Sequence, residues 1–145
     1  MFRKIILIIA IVFITLSANV SNAQESLYKR LGGYDAICAV VDDFITGLAT
    51  NKDLEKFFKG ASVDSQKKIR QHVVDLICEK SGGPCYYIGR DMKTSHKGLG
   101  ITENEWNTAA GILVASLNKF HVPKTEMDEL LVIVSSTKAD IVEKP

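Results

Sequence analysis

Gly82-Gly83-Pro84-Cys85-Tyr86-Tyr87-Ile88-Gly89-Arg90-Asp91-Met92-Lys93-Thr94-Ser95-His96-Lys97-Gly98-Leu99-Gly100-Ile101 is the stretch on which the fold turns. A histidine follows a glycine-broken loop and a single short turn, and glycine comes again directly after it. Backbone freedom before and after one imidazole suits a side chain held against something large and flat. The segment has little regular helix, yet it carries Tyr86, Tyr87, Ile88, Met92 and His96. Loops of this length are functional or disordered, and this one is too rich in aromatic and apolar groups to be disordered. The chain has only three histidines, His72, His96 and His121. His121 lies at a helix end before Val122-Pro123 and is expected to face solvent.

Helices are read on both sides of this stretch. Ser26 to Leu31 makes a short opening helix stopped by Gly32-Gly33. Ile37, Val40, Val41, Phe44 and Leu48 then share one face of a helix from about Tyr34 to Thr50. Asp53 to Phe58 is a short helical turn ending near Gly60. A second long helix runs from about Asp64 to Lys80, with Ile69, His72, Val73, Leu76 and Ile77 as its inward face. Downstream, Thr102-Glu103-Asn104-Glu105 is a capping-box pattern. It opens a helix whose buried face carries Trp106, Ala109, Leu113, Leu117 and Phe120. Pro123 restarts the chain into a last helix with Met127, Leu130, Leu131 and Val134 inward. No alternating run reads as a strand, so the fold is all-helical, packed by ridges into grooves.

Residues 1–23 stand apart from that fold. Arg3 and Lys4, an apolar run from Ile5 to Leu16 and the ending Ser21-Asn22-Ala23 read as a secretory signal cleaved after Ala23, or as an uncleaved N-terminal anchor. The run is short of the ~20 residues that a membrane span needs, and no cysteine sits at the cleavage point to carry a lipid. The expected location is therefore outside the inner membrane, in the periplasm. Residues 24–145 suffice for one domain with one core. Cleavage removes Arg3 and Lys4 and no acidic residue, so the formal charge moves from +1 to −1. A near-neutral chain with scattered charges gives no reason to expect nucleic acid as a partner. Cys78 and Cys85 flank the Gly82-Gly83-Pro84 turn. They either pair across it, stabilising by ~2–3 kcal/mol, or stay as two half-buried thiols. Cys38 sits in an apolar helix as a small buried residue.

Three chemistries compete for His96. Zinc lacks a spacing template, because Cys78 and Cys85 match none and no second histidine lies close by in sequence. A Cys–His nucleophile has nothing to mark a thiolate. A haem pocket needs one axial imidazole, a flat apolar slot and aromatic walls. The chain supplies Phe44, Phe57, Phe58, Met92 and Trp106, together with the apolar helix face around Val73.

With Leu31-Gly32-Gly33 near the start, Phe57-Phe58 before the third helix, Gly82-Gly83-Pro84 after it, Met92-Lys93 four residues before the histidine, and His96-Lys97-Gly98 ahead of Gly100-Ile101-Thr102, the chain resembles the group 1 truncated haemoglobins. Each signal is weak alone; in this order they are specific, and the resemblance covers nearly all of the chain after residue 25. It implies a two-over-two helical sandwich around haem b (iron protoporphyrin), with His96 as the proximal iron ligand. It also implies that Phe58 packs on the haem face, and that Phe44, Met92, Ile101, Trp106 and Leu113 are further wall residues.

On the distal side the chain departs from the family pattern. Many relatives place a tyrosine after the phenylalanine of the second helix, to donate to bound dioxygen; here Phe44 is followed by Ile45, which donates nothing. Aligning back from Gly82-Gly83 puts Ile69 and Val73 over the iron. Aligning forward from Phe58 puts Gln66 and Arg70 there. The first alignment is preferred, because burying an unpaired arginine is costly. It leaves His72, one turn from Ile69, as the single distal polar candidate. His72 is either a second axial ligand to ferric iron, a residue at the pocket edge near a haem propionate, or a satisfied core histidine.

The expected activity is reversible binding of dioxygen, carbon monoxide or nitric oxide, dioxygen first. Nitric oxide detoxification, for which a redox partner protein would supply electrons, and bis-histidine electron transfer are the rival functions. A monomer or weak dimer is expected.

Overall fold

The computed structural model describes residues 25–144, so the signal or anchor expected at 1–23 lies outside them. Ser26 caps a short helix, α1 (Leu27–Arg30), its hydroxyl accepting from the Lys29 amide. The apolar spacing over the next stretch becomes α2 (Gly33–Thr50), with Ile37, Val40 and Val41 buried. A 3-10 turn at Glu55–Phe57 leads to α3 (Val63–Lys80), which the Ser62 hydroxyl caps by accepting from the Ser65 amide. A five-residue helix, α4 (Met92–His96), follows the long loop. The capping box is formed as read. The Thr102 hydroxyl accepts from the Glu105 amide, the Glu105 carboxylate accepts from the Thr102 amide, and α5 (Glu103–Lys119) begins there.

The last helix read from the sequence is α6 (Lys124–Ser135), and a further short helix, α7 (Lys138–Ile141), follows it. The Ser136 hydroxyl donates to the Ile133 carbonyl at 2.6 Å and the Thr137 hydroxyl to the Val134 carbonyl at 2.7 Å. Such side-chain bonds compete with the backbone ladder and end α6. Among the described residues there is no strand, only an isolated bridge between Thr102 and Lys144. No helix among them is long and apolar enough to cross a membrane.

One core joins α2, α3, α5 and α6, with α2 packed on both α3 and α5, in the expected two-over-two arrangement. It consists of Leu27, Ile37, Val40, Val41, Val74, Ile77, Cys78, Leu113, Leu117, Met127 and Leu130. Each such leucine, isoleucine or methionine contributes roughly 1.5–3 kcal/mol by leaving water. α1 is stapled across the bundle to α6, where Arg30 pairs with Glu126 at 2.9 Å and also with Glu129.

Two expected faces need correction. On α3 the buried stripe is Val74, Ile77 and Cys78, continuing to Ser81, rather than Ile69, His72, Val73 and Leu76. Of that second set, His72, Val73 and Leu76 are half-buried and Ile69 is exposed. The helix carries two apolar stripes, and periodicity cannot say which one meets protein. On α5 the buried positions are Glu105, Leu113, Ser116 and Leu117, while Phe120, just past the helix end, is exposed. Ser116 is missed by a hydrophobic reading because it is buried through its hydroxyl, which donates to Asp43 at 2.8 Å.

Candidate functional site

Cys78 and Cys85 are joined in a disulfide with a Cα separation of 5.7 Å, which resolves the two alternatives left open by the sequence. The bridge needs Gly83. A Cβ there would stand 2.7 Å from the Cys78 sulfur and 2.8 Å from its carbonyl oxygen, closer than side chains come. Beyond the bridge, exposure alternates along residues 84–90: Pro84, Tyr86, Ile88 and Arg90 are exposed, and Cys85, Tyr87 and Gly89 are half-buried. Tyr87 is fixed at both ends. Its amide donates to the Glu79 carboxylate at 2.7 Å and its hydroxyl donates to the Arg90 carbonyl at 2.6 Å. Its ring meets the His72 ring edge-on, with centroids 5.9 Å apart.

Asp91 caps α4. Its carboxylate accepts from the Thr94 amide at 2.7 Å and from the Thr94 hydroxyl at 2.8 Å. Those bonds, the amide first, hold the Asp91 carboxyl below the usual carboxylate range. One turn on, His96 Nδ1 lies 2.8 Å from the Met92 carbonyl oxygen. A carbonyl only accepts, so Nδ1 carries the proton and Nε2 keeps its lone pair. An imidazole oriented through Nδ1 by a backbone carbonyl, with Nε2 free, is the arrangement of a metal-bound histidine. His96 itself is half-buried.

His72 is half-buried on α3, and its Nδ1 is buried with no hydrogen-bond partner among the described residues. Ile69, one turn before it, is 38% exposed. Val73 is half-buried against the edge of the core, as are Phe44 and Ile45 of α2. Phe58, Met92, Ile101 and Trp106 are also half-buried but stand outside that core. Leu113 differs from these: it is 2% exposed and belongs to the core between the helix pairs. The residues of the other alignment are engaged elsewhere. The Arg70 guanidinium donates to both Asp42 oxygens, at 2.7 and 2.9 Å, and the Gln66 amide donates to the Ala61 carbonyl. Asp42 is held below the usual carboxylate range by that guanidinium.

Among the described residues, no three His, Cys, Asp or Glu side chains gather where they could hold a metal ion. The available chemistry is that of single imidazoles beside half-buried aromatic and aliphatic groups. A family model described as bacterial-like globin matches residues 26–143. The chain belongs to the bacterial-like globin family. It is 30% identical over 116 residues to a group 1 truncated haemoglobin of Mycolicibacterium paratuberculosis, covering 80% of this chain and 83% of that one. It is 27% identical to a group 1 truncated haemoglobin of Tetrahymena pyriformis, covering 85% and 99%. Among solved structures, the Fe(III) truncated haemoglobin of Tetrahymena pyriformis superposes with a TM-score of 0.76 at 24% identity, over 83% of this chain and all of that one. The 2/2 haemoglobin of a Synechococcus species, in the cyanomet state with covalently attached haem, gives 0.74 at 26%, also over 83% of this chain and all of that one.

This globin therefore has the truncated haemoglobin fold and belongs to a haem-binding family. Its own residues fit that group. The free Nε2 of His96 suits an axial position, the orphaned His72 nitrogen marks a buried imidazole lacking a protein partner, and the half-buried stripe His72–Val73–Leu76 offers a flat apolar cofactor a wall. The inward tyrosine of the loop and the carboxylate that seats it, Tyr87 and Glu79, were not singled out from the sequence. Nothing in the residue pattern from Pro84 to Arg90 separates Tyr87 from Tyr86; only the alternating exposure in the structure does.

Proposed function

We propose that this globin holds haem b through an Nε2 bond from His96 and binds a diatomic gas, dioxygen first, on the α3 side. The observation that carries the reading is the His96 Nδ1 to Met92 carbonyl bond, which leaves Nε2 available. Bound haem would supply an iron centre at which a small gas ligand exchanges. Phe44, Phe58, Val73, Met92, Ile101 and Trp106 would exclude water from it, with Ile69 flanking, while Leu113 stays in the core behind them. The absorption spectrum of the reconstituted chain tests the reading. A Soret band that is lost or displaced in His96→Ala supports it; an unchanged band in that variant overturns it.

Within that reading His72 acts as a hydrogen-bond donor rather than a sixth ligand. Ligation through Nε2 would put the ring proton on Nδ1, which is buried without an acceptor; an unpaired buried donor costs ~1–3 kcal/mol. The other tautomer leaves only a lone pair unsatisfied and points an N–H from Nε2. It supplies the donor that Ile45 cannot. The wild-type ferric spectrum is then high-spin, and His72→Ala speeds dioxygen loss about 2- to 12-fold, the equivalent of ~0.5–1.5 kcal/mol for one hydrogen bond. Low-spin bands that vanish in His72→Ala would reverse the assignment to iron ligation.

The Cys78–Cys85 disulfide supports export, since such bonds persist in oxidising compartments. The cellular setting proposed is periplasmic, with residues 1–23 as signal or anchor and residues 24–145 as the globin domain. Turnover of nitric oxide in the presence of a reductant would identify detoxification as the activity in place of carriage.

A further inference from the structure

We propose that Glu143 is a positioning residue for His96, acting through the loop Lys97–Gly100; the inference rests on His96 being the haem ligand. His96 is the last residue of α4, a helix of five residues. A helix that short does not hold itself, because its nucleation cost is not repaid by so few bonds. The orientation of His96 therefore depends on what fixes the two ends of α4. Asp91 fixes the first.

The second end is fixed from the far terminus of the chain. Gly98 and Gly100 have φ of +84° and +65°, in the left-handed region that favours glycine. Those amides converge on one carboxylate: the Gly98 N–H donates to Glu143 Oε1 at 2.7 Å and the Gly100 N–H to Oε2 at 2.6 Å. Between them, the Leu99 N–H donates to the carbonyl of His96 itself at 3.1 Å. Both oxygens of Glu143 are used, each in a charge-assisted bond of the stronger kind. The bonds hold the Glu143 carboxyl below the usual carboxylate range, the Gly98 amide first.

The carboxylate is placed by its own backbone. The Glu143 and Lys144 amides donate to the Ile101 carbonyl at 2.9 and 3.2 Å, and the Glu103 amide donates to the Lys144 carbonyl at 3.2 Å. The tail is thus strapped along residues 101–103, and α7, just before it, packs on α4. Positive φ at two glycines, two short bonds to one acid and a strapped tail all converge on the residues directly after His96. Glu143 therefore sets the orientation of the His96 imidazole.

The test uses the haem-reconstituted chain. Glu143→Gln keeps the size of the side chain and removes its charge and one acceptor. It should shift or broaden the iron–histidine stretching band of the ferrous protein and speed haem loss to a scavenger at least tenfold. Gly98→Ala opposes the loop from the other side and should move the same band, so the inference stays testable if a Glu143 variant fails to fold. Leu117→Ala, which weakens the core far from the loop, should leave the band in place. An unmoved band and a haem-loss rate within twofold of wild type in Glu143→Gln would overturn the proposal, as would an equal shift in Leu117→Ala. A wild-type band in His96→Ala would sink the haem-ligand reading itself, a separate failure.

Discussion

The free nitrogen of His96 is a product of spacing: Met92 stands four residues earlier, so its carbonyl meets Nδ1 within one helical turn. The same logic applies to Ile45 on α2. It occupies a half-buried position against the core edge, and its sec-butyl group can donate no hydrogen bond. Ile45→Tyr is expected to slow dioxygen loss about 2- to 12-fold, the ~0.5–1.5 kcal/mol range of one added hydrogen bond. Stopped-flow displacement by carbon monoxide measures it; an unchanged rate would mean that position 45 does not face the ligand. The proposed reading has His72 and position 45 act on one rate, and the double variant His72→Ala, Ile45→Tyr tests whether they share a ligand.

α5 begins at a cap that is also an ion pair. Glu105 is 9% exposed, accepts from the Thr102 amide and hydroxyl, and pairs with Lys56 of the 3-10 turn. The Lys56 ammonium first, and the Thr102 amide next, hold its carboxyl down at about 2, from an ordinary value of 4.5. A group whose folded pKa is depressed contributes stability above its unfolded pKa and loses it as the pH falls through the folded one. The contribution of Glu105 is therefore complete above pH 4.5 and fades as the pH drops towards about 2. Urea midpoints of wild type and Glu105→Gln should differ most near neutrality and converge in acid; a gap that stays constant with pH would contradict this. The disulfide works at the same scale, tying the end of α3 to the loop that presents Tyr87 to His72.

Across the whole molecule, two apolar populations divide the work. Leu113, deep in the core, should cost ~2–5 kcal/mol as Leu113→Ala in the haem-free protein, read by urea unfolding. Phe58 and Trp106, half-buried outside that core, should affect haem retention far more than haem-free stability when cut to alanine. Equal losses of haem-free stability at all three would dissolve the distinction. The helices α2, α3 and α5, the cap at Thr102 and the importance of the loop at 82–100 were legible in the chain, since each rests on contacts within a few residues. What the sequence determined alone was local: periodicity, capping, and a histidine one turn after Met92. The tertiary structure decided which stripe of α3 meets the core, that Arg70 turns to Asp42, that Cys78 joins Cys85, and that Glu143 reaches the loop behind His96. Those are contacts between distant or competing partners, and neighbouring residues carry no record of which partner wins.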